Sequence, residues 1–297
     1  MDSVQKFQVE HRFPASLCEA VGWRVVGPDA PANLLAQNGL NLLRPRGTMP
    51  RAAFPHPTGL LPRRDARLNP AQFSISTAAA TDVGRKRSGN EDSHALWAAQ
   101  PGEAHVADRL LVVCDGMGGS NAGEVASRMA VEIVLRELQA APADDLPTAL
   151  ARAIHTANHE IWDQACAHHE QSGMGTTCTV IALRGDEALV GHVGDSRAYL
   201  VRGGQARQIT TDHSLVAQLV ARQQITLEEA KLDPRRNVVT RSVGVSAEIE
   251  VDVVAVGEPL RDRDTLVACS DGLHGLVSDA EIASLAAGDS LDDACRA

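Results

Sequence analysis

Three acidic residues stand where apolar stretches of the sequence meet small, flexible residues. Asp115 ends the run LLVVC and precedes Gly116, Asp271 ends TLVACS, and Glu91 follows a Ser-Gly-Asn loop. Apolar runs bounded by such turn signals predict buried strands. Acids gathered at strand ends suit Mg²⁺ or Mn²⁺, which take carboxylates, carbonyl oxygens and waters. Two such ions can activate a water and clamp an in-line displacement at phosphorus.

Arg87 adds a group that could hold the phosphate. It stands four residues before Glu91, and a guanidinium fork matches the oxygens of a phosphoryl group. Each feature alone has an ordinary explanation, because Asp-Gly is a common turn and a loop arginine is usually a solvated charge. The repeated placement of acids at strand ends is what favours a site.

The composition is typical of a soluble globular protein, with 297 residues and 44% apolar content, enough for one large domain or two small ones. A net charge of −10 argues against a nucleic-acid surface. No apolar run approaches the ~18 residues that span a bilayer. The six cysteines show no CxxC spacing, and no secretory signal is visible. We therefore expect reduced core cysteines and a cytoplasmic location.

The first part of the chain differs from the rest. Nine of the fourteen prolines fall in the first 80 residues, which carry a formal charge of +4 against −14 for the remaining 217. This proline spacing forbids long helices. We predict a disordered or loosely folded extension over residues 1–72 and a domain over residues 73–297, so removal of residues 1–70 is expected to leave activity largely intact. Alternatively, translation begins at Met49.

Beyond Phe73 the pattern predicts alternating layers. A strand, a glycine-bearing loop and a short strand come first, followed by a strand, a turn and an amphipathic helix, and then a second helix over roughly Leu146–His168. Three or four strands joined by hairpin turns occupy residues 173–210. A polar, partly helical segment separates them from two final strands. Helices on one side with hairpins between them predict an α+β layered domain.

The last residues predict a helix that has only begun. Ser290 resembles an N-cap, Asp292 and Asp293 fall in the first turn, and the amphipathic sequence LDDACRA stops at Ala297. We expect that this sequence is truncated relative to a complete domain.

Several motifs occur together in a recognisable order. They are TDVGRKRSGNEDS, LLVVCDGMGGSNAGEVAS, GMGTTCTVIAL, GHVGDSRAYLVRGGQARQITTDHSLV, NVVTRSVG and LVACSDGLHGLVSD. In order and spacing they resemble the metal-dependent protein phosphatases of type 2C (the PPM family) in their bacterial serine/threonine phosphatase form. The resemblance extends from about Phe73 to the end of the sequence.

The resemblance implies a four-layer α-β-β-α sandwich of two mostly antiparallel sheets flanked by helices, with the C-terminal helix and strand truncated. It implies a two-metal site in which Asp115 bridges both ions and Gly116 lends its carbonyl. Glu91 would bind one ion and Asp271 the other, while Arg87 holds the substrate phosphate. A hydroxide bound to the two-metal centre would attack phosphorus directly and release serine or threonine.

The remaining motifs receive smaller roles by resemblance. The segment 212–241 resembles the flap beside the active site, where some relatives bind a third metal, and Glu170 and Asp212 are the candidates for it here. The GDSR motif is interpreted as a structural hairpin. Some relatives place a histidine, a candidate general acid, where this chain has Met117, so leaving-group protonation is unassigned.

The leading hypothesis is a phosphoprotein phosphatase that requires two Mn²⁺ or Mg²⁺ ions and opposes a bacterial serine/threonine kinase. It would act on phosphorylated proteins as a monomer, without nucleic acid or membrane. The family's Gly-Gly-x-Asp-Asn motif before a last strand is absent from this sequence. The alternative is therefore a phosphatase-like binding or regulatory module with weak or no turnover. A nucleotide-binding loop is excluded because Asn121 stands where GxGxxG needs its third glycine.

Overall fold

A computed structural model of the protein describes residues 20–26, 74–84, 89–100, 103–118, 122–143, 145–288 and 290–296. The strands in these ranges are β1 (Ala20–Val26), β2 (Ser74–Ala80), β3 (Asp92–Ala98), β4 (Arg109–Met117), β5 (Gly175–Thr176), β6 (Cys178–Arg184), β7 (Glu187–Val193), β8 (Arg197–Arg202), β9 (Gln205–Gln208), β10 (Asp252–Ala255) and β11 (Thr265–Cys269). The helices are α1 (Ala122–Ala140), α2 (Leu146–Ala167), α3 (Leu215–Ala221), α4 (Leu227–Leu232), α5 (Asp271–His274), α6 (Asp279–Ala286) and α7 (Leu291–Arg296).

Local sequence explains where the long second helix begins. The Asp145 carboxylate caps α2 by accepting the Thr148 N–H at 3.2 Å, and Pro147 lies in the first turn, where its missing N–H costs nothing. The helix ends at Ala167, within a residue of the predicted end.

Strand β4 lies inside a six-stranded antiparallel sheet with the order β10-β7-β6-β4-β3, and β5 pairs with its last residues. Its side chains alternate between two cores, as a strand buried on both faces requires. The sequence places the end of this strand at Asp115. The observed strand continues to Met117, because β5 pairs with Gly116 and Met117.

A five-stranded antiparallel sheet has the order β2-β1-β11-β8-β9. Strand β1 belongs to the residues that the sequence assigns to a loosely folded extension. Here the structure differs from that expectation, because Ala20–Val26 pair with β2 along their whole length and with β11 through Arg24. The other residues of the proposed extension, including Met49, lie outside the described ranges.

The two sheets pack face to face and helices cover their outer faces. Leu111 and Val113 of β4 meet Leu200 and Leu266 between the sheets. Helices α1 and α2 cover the six-stranded sheet, and α6 covers the five-stranded sheet. The predicted four-layer α+β sandwich is therefore confirmed, with its layers held by burial of apolar side chains.

The strand cysteines Cys114, Cys178 and Cys269 are fully buried, as expected for core residues. Among the described residues, no helix combines the length and the apolar character needed to cross a membrane.

Candidate metal centre

Asp115 lies within β4, directly opposite Asp92 at the start of β3. Its main chain is held by Thr177, the residue between β5 and β6: the Asp115 N–H donates to Thr177 Oγ1 at 2.8 Å, and the Asp115 carbonyl accepts the Thr177 N–H at 2.8 Å. The Thr176 hydroxyl donates to the same carbonyl at 2.9 Å. Three hydrogen bonds therefore fix the backbone from which the Asp115 carboxylate projects.

Like charges crowd around the Asp115 carboxylate. Burial, and then the neighbouring carboxylates of Asp92, Asp271 and Asp195, raise the pKa of Asp115 well above its usual range. Like charges directly opposite each other on paired strands are destabilising. Every neighbour that raises this pKa is itself a carboxylate, so the arrangement favours a bound cation.

Asp271 reaches the cluster from the other sheet. It is the first residue of α5, which begins immediately after β11 and Ser270. The Ser270 hydroxyl donates to Asp92 Oδ2 at 2.9 Å, which links the end of β11 to the start of β3. This hydrogen bond joins the two sheets at the carboxylate cluster.

Glu91 lies beside the cluster, next to Gly116 and Gly123. The Gly116 N–H donates to the Glu91 carbonyl at 3.0 Å. A Cβ built on Gly123, in the first turn of α1, would lie 2.7 Å from Glu91 Oε1, and one on Gly116 would lie 2.1 Å from the Gly123 carbonyl oxygen. Both positions require glycine because any side chain would displace Glu91 or the neighbouring backbone.

Asp195 lies in the Gly-Asp-Ser turn between β7 and β8 and is buried. Burial, and then the charges of Asp271 and Asp212, raise the pKa of Asp195 to about 7. The Ser196 and Thr177 hydroxyls lie 2.7 Å apart, so the turn is tied to the residues that hold Asp115. Asp195 therefore belongs to the same cluster, although the sequence interpretation gives its motif a purely structural role.

The proposed site residues are only partly brought together. Asp115 and Asp271 lie in the cluster, with Glu91 beside Gly116. Arg87 lies outside the described residues. Glu170 lies in the exposed 3₁₀ turn His169–Gln171 that follows α2.

Asp212, the other candidate for a third ion, is engaged elsewhere. Its carboxylate accepts hydrogen bonds from Arg197 Nε at 2.9 Å and Nη2 at 2.7 Å, and from the Gln208 amide at 2.9 Å. A bidentate guanidinium satisfies a carboxylate well without a metal ion. Asp212 nevertheless lies close enough to Asp195 for its charge to raise the pKa of Asp195.

Sequence reasoning missed Asp92 and Asp195. Asp92 directly follows Glu91, and adjacent residues of a strand point to opposite faces, which favours choosing one of the two. Glu91, however, precedes β3 while Asp92 opens it, so both can contribute. A signal for Asp195 was available, because it is a third aspartate beside a glycine at the end of an apolar strand, after Asp115 and Asp271.

The donor set fits a hard divalent cation. Several carboxylates and the carbonyl of Gly116 are oxygen ligands of the kind that Mg²⁺ and Mn²⁺ prefer. Across the described ranges, no three His, Cys, Asp or Glu side chains form a ready-made cage for a metal ion. The fit therefore rests on the chemistry of the donors and on their mutual repulsion, which a cation would relieve.

Known proteins are similar to this chain in sequence and in fold. The profile of the family described as Protein phosphatase 2C matches residues 77–219. Serine/threonine phosphatase stp of Listeria innocua is 38% identical over 206 residues, which cover 68% of this chain and 79% of that protein. The crystal structure of serine/threonine phosphatase Stp1 from Staphylococcus aureus aligns with a TM-score of 0.66 and 35% identity, over 72% of this chain and 84% of that one.

A second solved structure bears on the metal. The catalytic domain of the serine threonine protein phosphatase PstP, in complex with two manganese ions, aligns with a TM-score of 0.60 and 34% identity. The alignment covers 71% of this chain and 83% of that one. This chain belongs to the protein phosphatase 2C family of metal-dependent phosphatases, whose members use Mn²⁺ or Mg²⁺. The predicted family, fold class and metal type are confirmed.

Proposed function

We propose that this protein hydrolyses phosphoserine and phosphothreonine in proteins with two Mn²⁺ or Mg²⁺ ions held around Asp115. The observation that carries the proposal is the group of four carboxylates whose burial and mutual charge raise the pKa of Asp115. Such repulsion costs stability unless a cation accompanies the fold. Because the chain belongs to a family of metal-dependent phosphatases, we propose that this cation takes part in phosphate hydrolysis.

Individual roles follow from where each group lies. Asp115, pinned by Thr176 and Thr177, is the carboxylate that both ions would share. Glu91 and the Gly116 carbonyl would hold one ion and Asp271 the other. Asp195 is proposed for a third ion in place of Asp212 and Glu170, because its carboxylate faces the cluster.

When bound, the ions supply an activated water and positive charge for displacement at phosphorus. The protein's own groups orient the donors: Ser270 donates to Asp92, and the paired Gly116 and Gly123 leave room for the Glu91 carboxylate. Arg87 is proposed to bind the substrate phosphate. Met117 has no proton to give, so the leaving alkoxide must take its proton from water.

An Asp115→Asn variant tests this proposal. It keeps the size of the side chain and removes the charge that the ions would share. Release of phosphate from a phosphothreonine peptide, measured with and without Mn²⁺, is expected to fall by roughly 10³-fold or more, as when a central charge of a preorganised site is removed. The circular dichroism spectrum should remain that of the parent.

Asp163→Asn is the matched control, because Asp163 is an exposed aspartate on α2, away from the cluster. It should keep parental activity. Near-parental activity in Asp115→Asn would show that the two-metal assignment is wrong.

The proposed biological setting follows from the same chemistry. Phosphoprotein substrates are what the family implies, and we propose that a bacterial serine/threonine kinase supplies them. The chain would act in the cytoplasm as a monomer, consistent with its buried strand cysteines and its net negative charge of −10. Size-exclusion chromatography with light scattering would test the monomer.

The competing function is a phosphoprotein-binding module with little turnover. It is favoured by the lack of a ready-made cage among the described His, Cys, Asp and Glu residues. Such a module would bind a phosphothreonine peptide without releasing phosphate at any Mn²⁺ concentration. Calorimetry of peptide binding beside the phosphate-release assay separates the two functions.

A further inference from the structure

The turn between β7 and β8 carries the buried Asp195 carboxylate. One side of this turn packs against Thr177, which also holds the main chain of Asp115. The Ser196 and Thr177 hydroxyls lie 2.7 Å apart, and a Cβ built on Gly194 would lie 2.6 Å from carbon atoms of the Thr177 side chain. The six-stranded sheet therefore fixes one side of the turn.

His274 fixes the other side of the same turn. Its Nε2 lies 2.9 Å from the Asp195 carbonyl oxygen. Because a carbonyl oxygen only accepts hydrogen bonds, Nε2 carries the proton and donates to it. His274 is the last residue of α5, and Asp271 is the first. This hydrogen bond therefore joins the turn to the short helix that carries a proposed metal ligand.

Asp271 and His274 both act on the turn from α5. They are three residues apart, and residues at this spacing lie on one face of a helix. After burial, the charge of Asp271 contributes most to the raised pKa of Asp195. The His274 ring reaches the main chain of the turn, while Asp271 acts on its carboxylate. The hydrogen bond from His274 therefore helps to set how close the Asp195 and Asp271 carboxylates lie.

A group that orients a metal ligand can change how tightly the ion binds without touching the ion. Losing such a partner weakens metal binding by roughly 10- to 100-fold in known metal sites. Ser270, directly before α5, orients the Asp92 carboxylate through its hydroxyl. His274, at the other end of α5, is placed to do the same for Asp195 through the main chain.

We propose that His274 is a positioning residue that holds the Asp195 turn against α5 and thereby sets the affinity for the ion at Asp195. The inference rests on the proposed function, in which Asp195 holds a third ion. It assigns His274 no contact with an ion, with the reacting phosphate or with the substrate. The ring acts through the main chain of Asp195.

Two substitutions separate the hydrogen bond from the bulk of the ring. His274→Leu keeps a side chain of similar size and removes the donor, whereas His274→Gln keeps an N–H that can reach the same carbonyl. Asp195→Asn and its combination with His274→Leu complete a double-mutant cycle. His159→Leu is the matched control, because His159 is exposed on α2.

Calorimetric titration with Mn²⁺ gives the number of bound ions and the dissociation constant of each binding step for every variant. Phosphate release from a phosphothreonine peptide is measured over the same range of Mn²⁺ concentrations. The titration reports on the ions whether or not the protein turns over, so metal binding and catalysis are measured separately.

We expect one Mn²⁺ binding step of His274→Leu to weaken roughly tenfold, while the other steps change by less than about twofold. The Mn²⁺ concentration for half-maximal phosphate release should rise by the same factor. Both kcat at saturating Mn²⁺ and KM for the peptide should stay within about twofold of the parent. His274→Gln should recover most of the lost affinity. In Asp195→Asn, adding His274→Leu should not weaken Mn²⁺ binding further, because the carboxylate that His274 positions is gone.

Four results would overturn the inference. They are unchanged Mn²⁺ binding in His274→Leu, equal weakening of every binding step, an equal loss in His274→Gln, and an undiminished effect of His274→Leu in the Asp195→Asn background. A parent protein that binds Mn²⁺ and releases no phosphate would contradict the proposed phosphatase activity alone, because the calorimetric cycle still measures the role of His274.

Discussion

The two sheets of this protein differ in how far apart along the sequence their paired strands lie. The six-stranded sheet takes all its strands except β10 from one continuous part of the chain, Asp92–Val193, and its pairs β6–β7 and β3–β4 join strands close in sequence. The five-stranded sheet gathers Ala20–Val26, Ser74–Ala80, Arg197–Gln208 and Thr265–Cys269. One sheet is therefore local in sequence and the other depends on distant pairings.

The carboxylate cluster lies where these two sheets meet. Asp92 and Asp115 come from the six-stranded sheet, and Asp271 follows β11 of the five-stranded sheet. Asp195 occupies the turn that carries the chain from one to the other. Half of the site is therefore held by local pairings, while the position of Asp271 depends on the distant ones.

The largest expected effect comes from removing β1. A chain starting at Met49 lacks the strand between β2 and β11, and Ala20 pairs with Cys269, two residues before Asp271. Two strands would lose their hydrogen-bonding partner. We expect a destabilisation on the order of 5 kcal/mol, comparable to the net stability of a domain, and loss of phosphatase activity.

Thermal unfolding and phosphate release measured on this truncation would check that expectation. A chain starting at residue 20 keeps β1 and is the matched control, which should behave as the parent. If the Met49 chain melts and turns over like the parent, β1 contributes nothing and the earlier expectation from the sequence stands.

A smaller effect is expected at the close approach of Gly123 and Glu91. In Gly123→Ala the new Cβ would lie 2.7 Å from Glu91 Oε1 and 2.9 Å from the Gly116 carbonyl carbon. Alanine favours a helix, yet displacement of Glu91 should lower Mn²⁺-dependent activity by roughly 100-fold. Gly89→Ala, whose Cβ would meet no atom within 4 Å, should change little. Full activity in Gly123→Ala would remove Glu91 from the site.

The stability of the fold should fall in acid because of His192, which lies in the six-stranded sheet. This buried residue of β7 lies 3.0 Å from Thr179 Oγ1, and burial lowers the pKa of His192 to about 4. Below pH 6.5 His192 binds a proton in the unfolded chain but stays neutral in the folded chain, so stability falls as pH falls towards 4. The loss between pH 7 and pH 5 should be about 2 kcal/mol.

Urea unfolding of the parent and of His192→Gln at pH 7 and pH 5 measures the contribution of His192 to stability. The difference between the two proteins cancels the contributions of the other titratable groups. The parent should lose about 2 kcal/mol more than the variant on acidification. Equal losses would mean that His192 does not report on the folding of this sheet.

The same contrast between the sheets explains what the sequence could predict. Helix α2 and the hairpin strands follow from local period and turn residues, and Asp115 and Asp271 from acids beside glycine at strand ends. Strand β1 could not be found in this way, because its partners Ser74–Ala80 and Thr265–Cys269 lie far along the chain. Asp195 was taken for a turn residue, since Gly-Asp-Ser satisfies local turn chemistry without any site.

Thermal melting of the parent and of Asp115→Asn, with and without Mn²⁺, tests most directly whether a bound cation offsets the repulsion around Asp115. If cations relieve repulsion around Asp115, Mn²⁺ at 100 times its dissociation constant should stabilise the parent by about 2.7 kcal/mol. Without metal, Asp115→Asn should melt above the parent, because one buried like charge is gone, and it should lose most of the Mn²⁺ shift. If Mn²⁺ does not raise the melting temperature of the parent, or if the variant keeps the full Mn²⁺ shift, no cation is held at Asp115.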